Sequence, residues 1–137
     1  MKVVVDTNIV FASLRTLHST TRNRLLSRAE EWYAHLFMFE EIFEHKEDIR
    51  RRSQLSDRQT TELLGKILRR LNFFNEELIS EEAFIEAYHL CKGIGTDDIP
   101  FIALTLELDA RLWSRDERLK THLRAQGFDR FYEEPNG

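Results

Sequence analysis

Lys2-Val3-Val4-Val5-Asp6-Thr7-Asn8 is the stretch that decides the fold. After Lys2 the run is wholly apolar and β-branched, which suits a strand buried on both faces. Strands of that kind belong to parallel sheets covered by helices on either side. Asp6 terminates the run. In a parallel sheet the carboxyl ends of the strands share one rim, so residues far apart in sequence can meet there. Whatever follows Val5 therefore stands where such folds place their chemistry.

Working outward, the strand spans Lys2 to Val5, and Asn8 to about Arg15 reads as a short helix. Leu17 to Thr21 reads as a loop. Thr21 is placed to cap a helix running to about Trp32, with Leu25, Leu26 and Ala29 inward. Tyr33 to Phe39 is aromatic and apolar and reads as a strand. Glu40 opens a helix with Ile42, Phe43 and Ile49 inward, and Ser53 to Leu55 breaks it. Ser56 and Gln59 have capping-box spacing. The helix after them carries a stripe of Leu63, Leu64, Ile67, Leu68 and Leu71.

A short strand is expected near Phe73 and Phe74. Ser80 caps a helix with Ala83, Phe84, Ala87, Tyr88 and Cys91 inward, ended by Gly93 and Gly95. Thr96 to Pro100 starts another helix, in whose first turn a proline costs no hydrogen bond. Ala110 to Trp113 is a strand, Glu117 to Ala125 a helix, and a last short strand lies near Phe131. The order β-α-α-β-α-α-(β)-α-α-β-α-(β) predicts an α/β three-layer α/β/α sandwich with a mainly parallel sheet. A single domain over 1–132 and a loose tail over 133–137 are expected.

Four acids fall at junctions of this pattern. Asp6, Asp98 and Asp116 lie where a strand ends or a helix begins, and Glu41 lies at a helix start just after a strand. Each aspartate also reads as an ordinary helix cap. Carboxylates gathered on one rim repel one another and stay ionised together only with cations among them. Hard oxygen donors suit Mg²⁺ or Mn²⁺. The combination implies a metal-dependent nuclease.

The bulk numbers fit an ordinary soluble globular protein. With 137 residues, 42% apolar and 32% charged, the chain can bury one core. The net charge of −4, from 24 acidic and 20 basic residues, argues against a protein that coats nucleic acid. Arg50-Arg51-Arg52 and Arg69-Arg70 nonetheless leave room for a local basic face. No apolar run is long enough to span a membrane, and no signal peptide precedes Val3, so a cytoplasmic location is the default. Cys91, the only cysteine, excludes an internal disulfide and a multi-cysteine zinc site.

Three segments resemble the PIN-domain nucleases, a family that includes the toxins of VapBC toxin–antitoxin pairs. They are Val4-Val5-Asp6-Thr7-Asn8, Phe39-Glu40-Glu41-Ile42, and the stretch from Asp98 through Ser114 to Asp116. The resemblance covers nearly the whole chain. It implies an acidic centre of Asp6, Glu41, Asp98 and Asp116 that holds Mg²⁺ or Mn²⁺, with Asn8 and Ser114 as polar support. Glu40 and Glu44 compete with Glu41, and Asp97 competes with Asp98 as a cap or extra ligand. The activity implied is endoribonucleolytic hydrolysis of RNA by one or two metal ions. A homodimer and a small antitoxin partner are implied as well.

Other chemistries fit less well. Glu86 and His89 have the spacing of a di-iron ligand pair but lack the partner pair. His18, His35, His45 and His122 form no metal spacing and default to surface or packing roles. Neither a glycine-rich phosphate loop nor a Gly-x-Ser-x-Gly elbow occurs. A dehalogenase-type phosphotransferase wants an aspartate where Asn8 stands, and a receiver domain wants an acidic neighbour that Asp6 lacks. The rivals left are a catalytically silent PIN-like module that binds RNA or protein, and a DNA-directed nuclease.

Overall fold

The chain, described over residues 1–134 by a computed structural model, folds around a four-stranded parallel sheet. The strands are β1 (Lys2–Val5), β2 (Glu31–His35), β3 (Leu71–Phe74) and β4 (Arg111–Trp113), in the order β3-β2-β1-β4. β1 lies inside, with Val3 opposite Trp32 on one side and Arg111 on the other. Its position explains its composition: Val3, Val4 and Val5 are all fully buried.

Because side chains alternate across a strand, β1 feeds two cores. Val3 and Val5 pack with Ile9, Val10, Leu14, Leu25, Met38, Ile67 and Trp113. Val4 packs on the opposite face with Ala83, Ala87, Ile102, Leu104, Leu112, Leu119 and Leu123. The first layer comprises α1 (Thr7–Ser13), α2 (Thr20–Leu26), α3 (Met38–Glu44) and α5 (Asp57–Arg70). The second comprises α6 (Glu81–Cys91), α7 (Ile99–Glu107) and α8 (Glu117–Ala125). Helix α4 (Lys46–Arg52) has no fully buried residue and touches the first of these cores through the partly buried Ile49. The expected three-layer α/β/α architecture is thus present, and the strand near Phe73 is a full member of the sheet.

Several boundaries differ from expectation. Ser19, not Thr21, caps α2, donating no proton but accepting the Arg22 amide at 3.0 Å. That helix stops at Leu26, and Trp32 belongs to β2, where it registers against Val3 and Leu71. Ala29 is exposed. The apolar run after Tyr33 misplaced β2, because only its first part is sheet. Past His35 the chain turns, leaving Leu36, Phe37 and Phe39 exposed, and buried Met38 starts α3 two residues before Glu40. Phe43, expected inward, is 70% exposed beneath the Lys46 ammonium, and Tyr88 is exposed too. The last strand reduces to a single bridge between Leu112 and Phe131.

Local signals held elsewhere. Ser56 and Gln59 form the full capping box of α5. Ser80 caps α6 through the Ala83 amide. Gly93 and Gly95 adopt positive φ of 95° and 120° in the turn into α7, a backbone region open to glycine. In the expected tail, Glu134 accepts the Trp113 Nε1–H at 2.7 Å, and 135–137 lie outside the described residues. Among the described residues no helix is long and apolar enough to cross a membrane.

Leu104 is fully buried against both α6 and the sheet. Leu104→Ala is expected to lower unfolding free energy by about 2–5 kcal/mol in urea titrations. Phe43→Ala should change it by less than about 0.5 kcal/mol, as for a surface site.

Candidate active site at the carboxyl rim

The parallel arrangement brings the carboxyl ends of β1, β2 and β4 to one edge. Asp6 follows β1 and caps α1, and its amide donates to the Trp113 carbonyl at 3.0 Å, stitching the ends of β1 and β4 together. Ser114 and Asp116 follow β4, and Asp116 caps α8 through the Leu119 amide at 3.1 Å. Glu41 lies in the first turn of α3, just beyond β2. Asp98 is the cap residue of α7. Phe101, one turn into α7, meets the His35 ring edge-to-face at 4.2 Å, which pins this helix start to the end of β2.

Asp6 is almost fully buried. Its Oδ2 accepts the Ser114 hydroxyl at 2.9 Å, and its Oδ1 accepts the Asn8 amide at 3.4 Å. The same Ser114 oxygen accepts the Asp116 amide at 3.1 Å, so one hydroxyl couples two of the acids. Thr7 donates to Glu41 Oε1 at 2.9 Å. Asp98 differs from the other aspartates: its side chain makes no capping bond. The cap reading of these acids therefore holds for Asp6 and Asp116 and fails for Asp98.

The electrostatics ties the segments together. Burial holds the Asp98 carboxyl up at about 6, helped by the negative charges of Asp6, Asp116 and Asp97. Burial also raises Glu41, with Asp6 and Asp98 adding to the rise, against the Thr7 hydrogen bond and the nearby His45. Asp6 is raised by its burial and then by Asp116, while Ser114 and the local amides oppose the shift. Acids separated by more than 30 residues in sequence thus act on one another directly. Glu41 alone among the three competing glutamates takes part, because Glu40 and Glu44 are exposed. Asp97 is exposed and acts only through its charge on Asp98. Asn8 contributes its backbone amide to Asp6, and its side chain lines a neighbouring cleft.

Among the described residues no group of three or more His, Cys, Asp or Glu side chains is arranged to hold a metal ion. The rim carboxylates feel one another's charge without being gathered into a ligand set. That donor chemistry fits Mg²⁺ or Mn²⁺, since Mg²⁺ is ordinarily held by one or two carboxylates together with water and phosphate oxygens. A divalent cation would also offset the repulsion that, after burial, adds to the rise of Asp6, Glu41 and Asp98.

The chain matches the family model described as PIN domain over residues 4–129. It belongs to the PIN-domain family. Comparison with curated proteins gives no match. The PIN fold is a nuclease-type fold, and PIN-domain nucleases generally use divalent metal ions. In this PIN domain the matched stretch contains all four rim acids.

Three residues of the rim escaped the sequence reading. Thr7 sits inside the Asp-Thr-Asn run, but its aim at Glu41 follows from a helix that starts at Thr7 itself. The sequence offers His35 only a surface or packing role. It is 1% exposed, with Nδ1 bonded to Glu76 Oε1 at 3.0 Å and Nε2 lying 3.6 Å from Glu41 Oε1. Burial lowers its basicity against the pull of Glu76. With β2 expected to run on to Phe39, nothing marked His35 as a strand end. Glu76, in a 3₁₀ turn after β3, also accepts the Phe37 amide at 3.0 Å and so braces the loop that leads to Glu41.

The raised acids set the pH dependence of stability. Folded Asp98 keeps its proton to about pH 6, whereas the unfolded chain releases it near 3.8. Between those values the folded state binds more protons, so stability falls as pH rises through the window. In EDTA, Asp98→Asn should therefore melt above wild type at pH 7, with the gap closing towards pH 4. A lower melting temperature for Asp98→Asn at pH 7 would show that the repulsion is not felt.

Proposed function

We propose that this PIN domain is a Mg²⁺- or Mn²⁺-dependent endoribonuclease that hydrolyses RNA phosphodiester bonds at the rim of Asp6, Glu41, Asp98 and Asp116. The observation that carries the proposal is the mutual charge coupling of acids from separate chain segments on the carboxyl edge of a parallel sheet. A divalent cation held there supplies a lower pKa for water and positive charge against the phosphate.

The chain's own groups support hydrolysis by water. The hydroxyls of Thr7 and Ser114 are committed to Glu41 and Asp6, which suits them to orienting carboxylates rather than attacking phosphorus. Cys91 is buried, and its thiol is pushed up to about 11, so it offers no thiolate nucleophile at neutral pH. The amino ends of α7 and α8 point their partial positive charge at the rim, where it favours an incoming phosphate. RNA as substrate, a toxin role, a homodimer, a small antitoxin partner and a cytoplasmic setting rest on the family resemblance.

A mixed RNA pool incubated with the protein and Mn²⁺ should be cut internally, and EDTA should stop the cutting. Ser114→Ala should lower the rate by about 10–100-fold, the usual effect of losing a group that orients a ligand, and Asp6→Asn by more. Cutting that persists in EDTA or in Asp6→Asn would overturn the proposal. Matched DNA substrates separate a DNA-directed nuclease from the RNA reading.

A further inference from the structure

A cleft of about 210 Å³ opens beside the acidic rim, lined by Asn8, Phe11, Arg15, His45, Asp48, Ile49 and Arg52. Two of its lining residues, Asn8 and His45, are bonded to rim acids through the backbone. Asn8 bonds Asp6 through its amide, and His45 follows Glu41 by one helical turn, its amide donating to the Glu41 carbonyl at 3.1 Å.

The two arginines are placed together by the backbone. The Ser53 hydroxyl donates to the Leu14 carbonyl at 2.5 Å, and the Gln54 amide donates to the Arg15 carbonyl at 2.7 Å. These bonds fasten the end of α4 to the end of α1, which sets Arg52 next to Arg15. Among the described residues neither guanidinium is paired with a carboxylate. Their neighbours are: Arg50 is held by Asp57 and Glu47, and Arg51 by Asp48. Asp48, the one acidic group of the cleft, is shared between Arg51 at one oxygen and His45, whose Nδ1 lies 3.9 Å from the other. Beside the arginines stands flat aromatic surface, an exposed His45 ring braced by Phe11 at 5.6 Å.

We propose that this cleft is a nucleotide subsite for single-stranded nucleic acid, in which Arg15 and Arg52 take the backbone phosphate next to the scissile one and the His45–Phe11 pair receives a base. Guanidinium forks match phosphate oxygens bidentately, and stacking platforms beside a basic groove are how single strands are held. The subsite deepens the nuclease reading and rests on it for its place beside the scissile bond. It gives a chain of net charge −4 a confined attractive surface at the mouth of an acidic centre.

The test measures binding of a fluorescein-labelled single-stranded RNA 10-mer by anisotropy in Mg²⁺, on the Asp6→Asn background so that cleavage does not intervene. Adding Arg15→Ala and Arg52→Ala should weaken binding about 10-fold or more and lower the log–log salt slope by about 1.4, two phosphate contacts at roughly 0.7 each. The Arg15→Lys, Arg52→Lys pair keeps charge but loses the fork, and should weaken binding by less. It also serves if the alanine pair fails to fold. Arg28→Ala with Arg69→Ala removes equal charge from a basic cluster at the opposite, amino edge of the sheet, and should leave affinity within about 2-fold. Unchanged binding in the alanine pair, or equal losses from both edges, would overturn the subsite. Loss of binding without any EDTA-sensitive cutting by wild type would sink the nuclease reading and leave the subsite. Asp6-dependent cutting with a KM unmoved by the alanine pair would do the reverse.

Discussion

Repulsion among carboxylates that the fold does not allow to separate is the constraint on which the rest depends. β1 is buried on both faces between β2 and β4, so Asp6 at its end can neither retreat to solvent nor swing away. The amide of Asp6 is fastened to β4 and its carboxylate to Ser114. Asp116 is fixed by α8, and Asp98 by a helix wedged against His35. Burial and shared charge then act together, and both favour the neutral acids. A structure that holds several carboxyls in this condition gives up stability at neutral pH. That arrangement makes chemical sense where a divalent cation and a phosphate complete the charge balance.

The supports around the acids follow the same logic. Thr7 and Ser114 each spend a hydroxyl on one carboxylate, which fixes orientation without neutralising it. His35 sits between Glu41 and Glu76 and carries the link from the end of β2 to the 3₁₀ turn after β3. Away from this rim the charges are arranged in pairs. Arg115 with Glu134, Arg58 with Glu62 and Arg50 with Asp57 are exposed pairs of the kind that adds little stability. The guanidinium groups of Arg15 and Arg52 line a cleft beside the acidic rim, and among the described residues neither is paired with a carboxylate.

Much of this was legible because the signals were local or strongly periodic. The Val3–Val5 run announced a doubly covered strand, the Ser56–Gln59 spacing a capped helix, and the order of elements a parallel sheet. The four acids could be named because a parallel sheet converts strand ends into neighbours. What the sequence hid depends on where backbone turns. The aromatic run after Tyr33 has one hydropathy but two structures, so the end of β2, the start of α3 and the place of His35 were all shifted together. Exposure of Phe43 was equally hidden, since α3 and α4 break at His45 and the apolar spacing that would bury it in one continuous helix does not persist. The pairing of Arg15 with Arg52 comes from two hydrogen bonds between distant loops, which no linear pattern records.

The most direct test of the account is anomalous diffraction from crystals soaked in Mn²⁺. The account requires a peak on the carboxyl rim, bonded at about 2.1 Å to oxygens of Asp6 and of Asp98 or Asp116, with Glu41 drawn towards the same centre. Full Mn²⁺ loading with every peak elsewhere, and the four carboxylates unmoved, would contradict it.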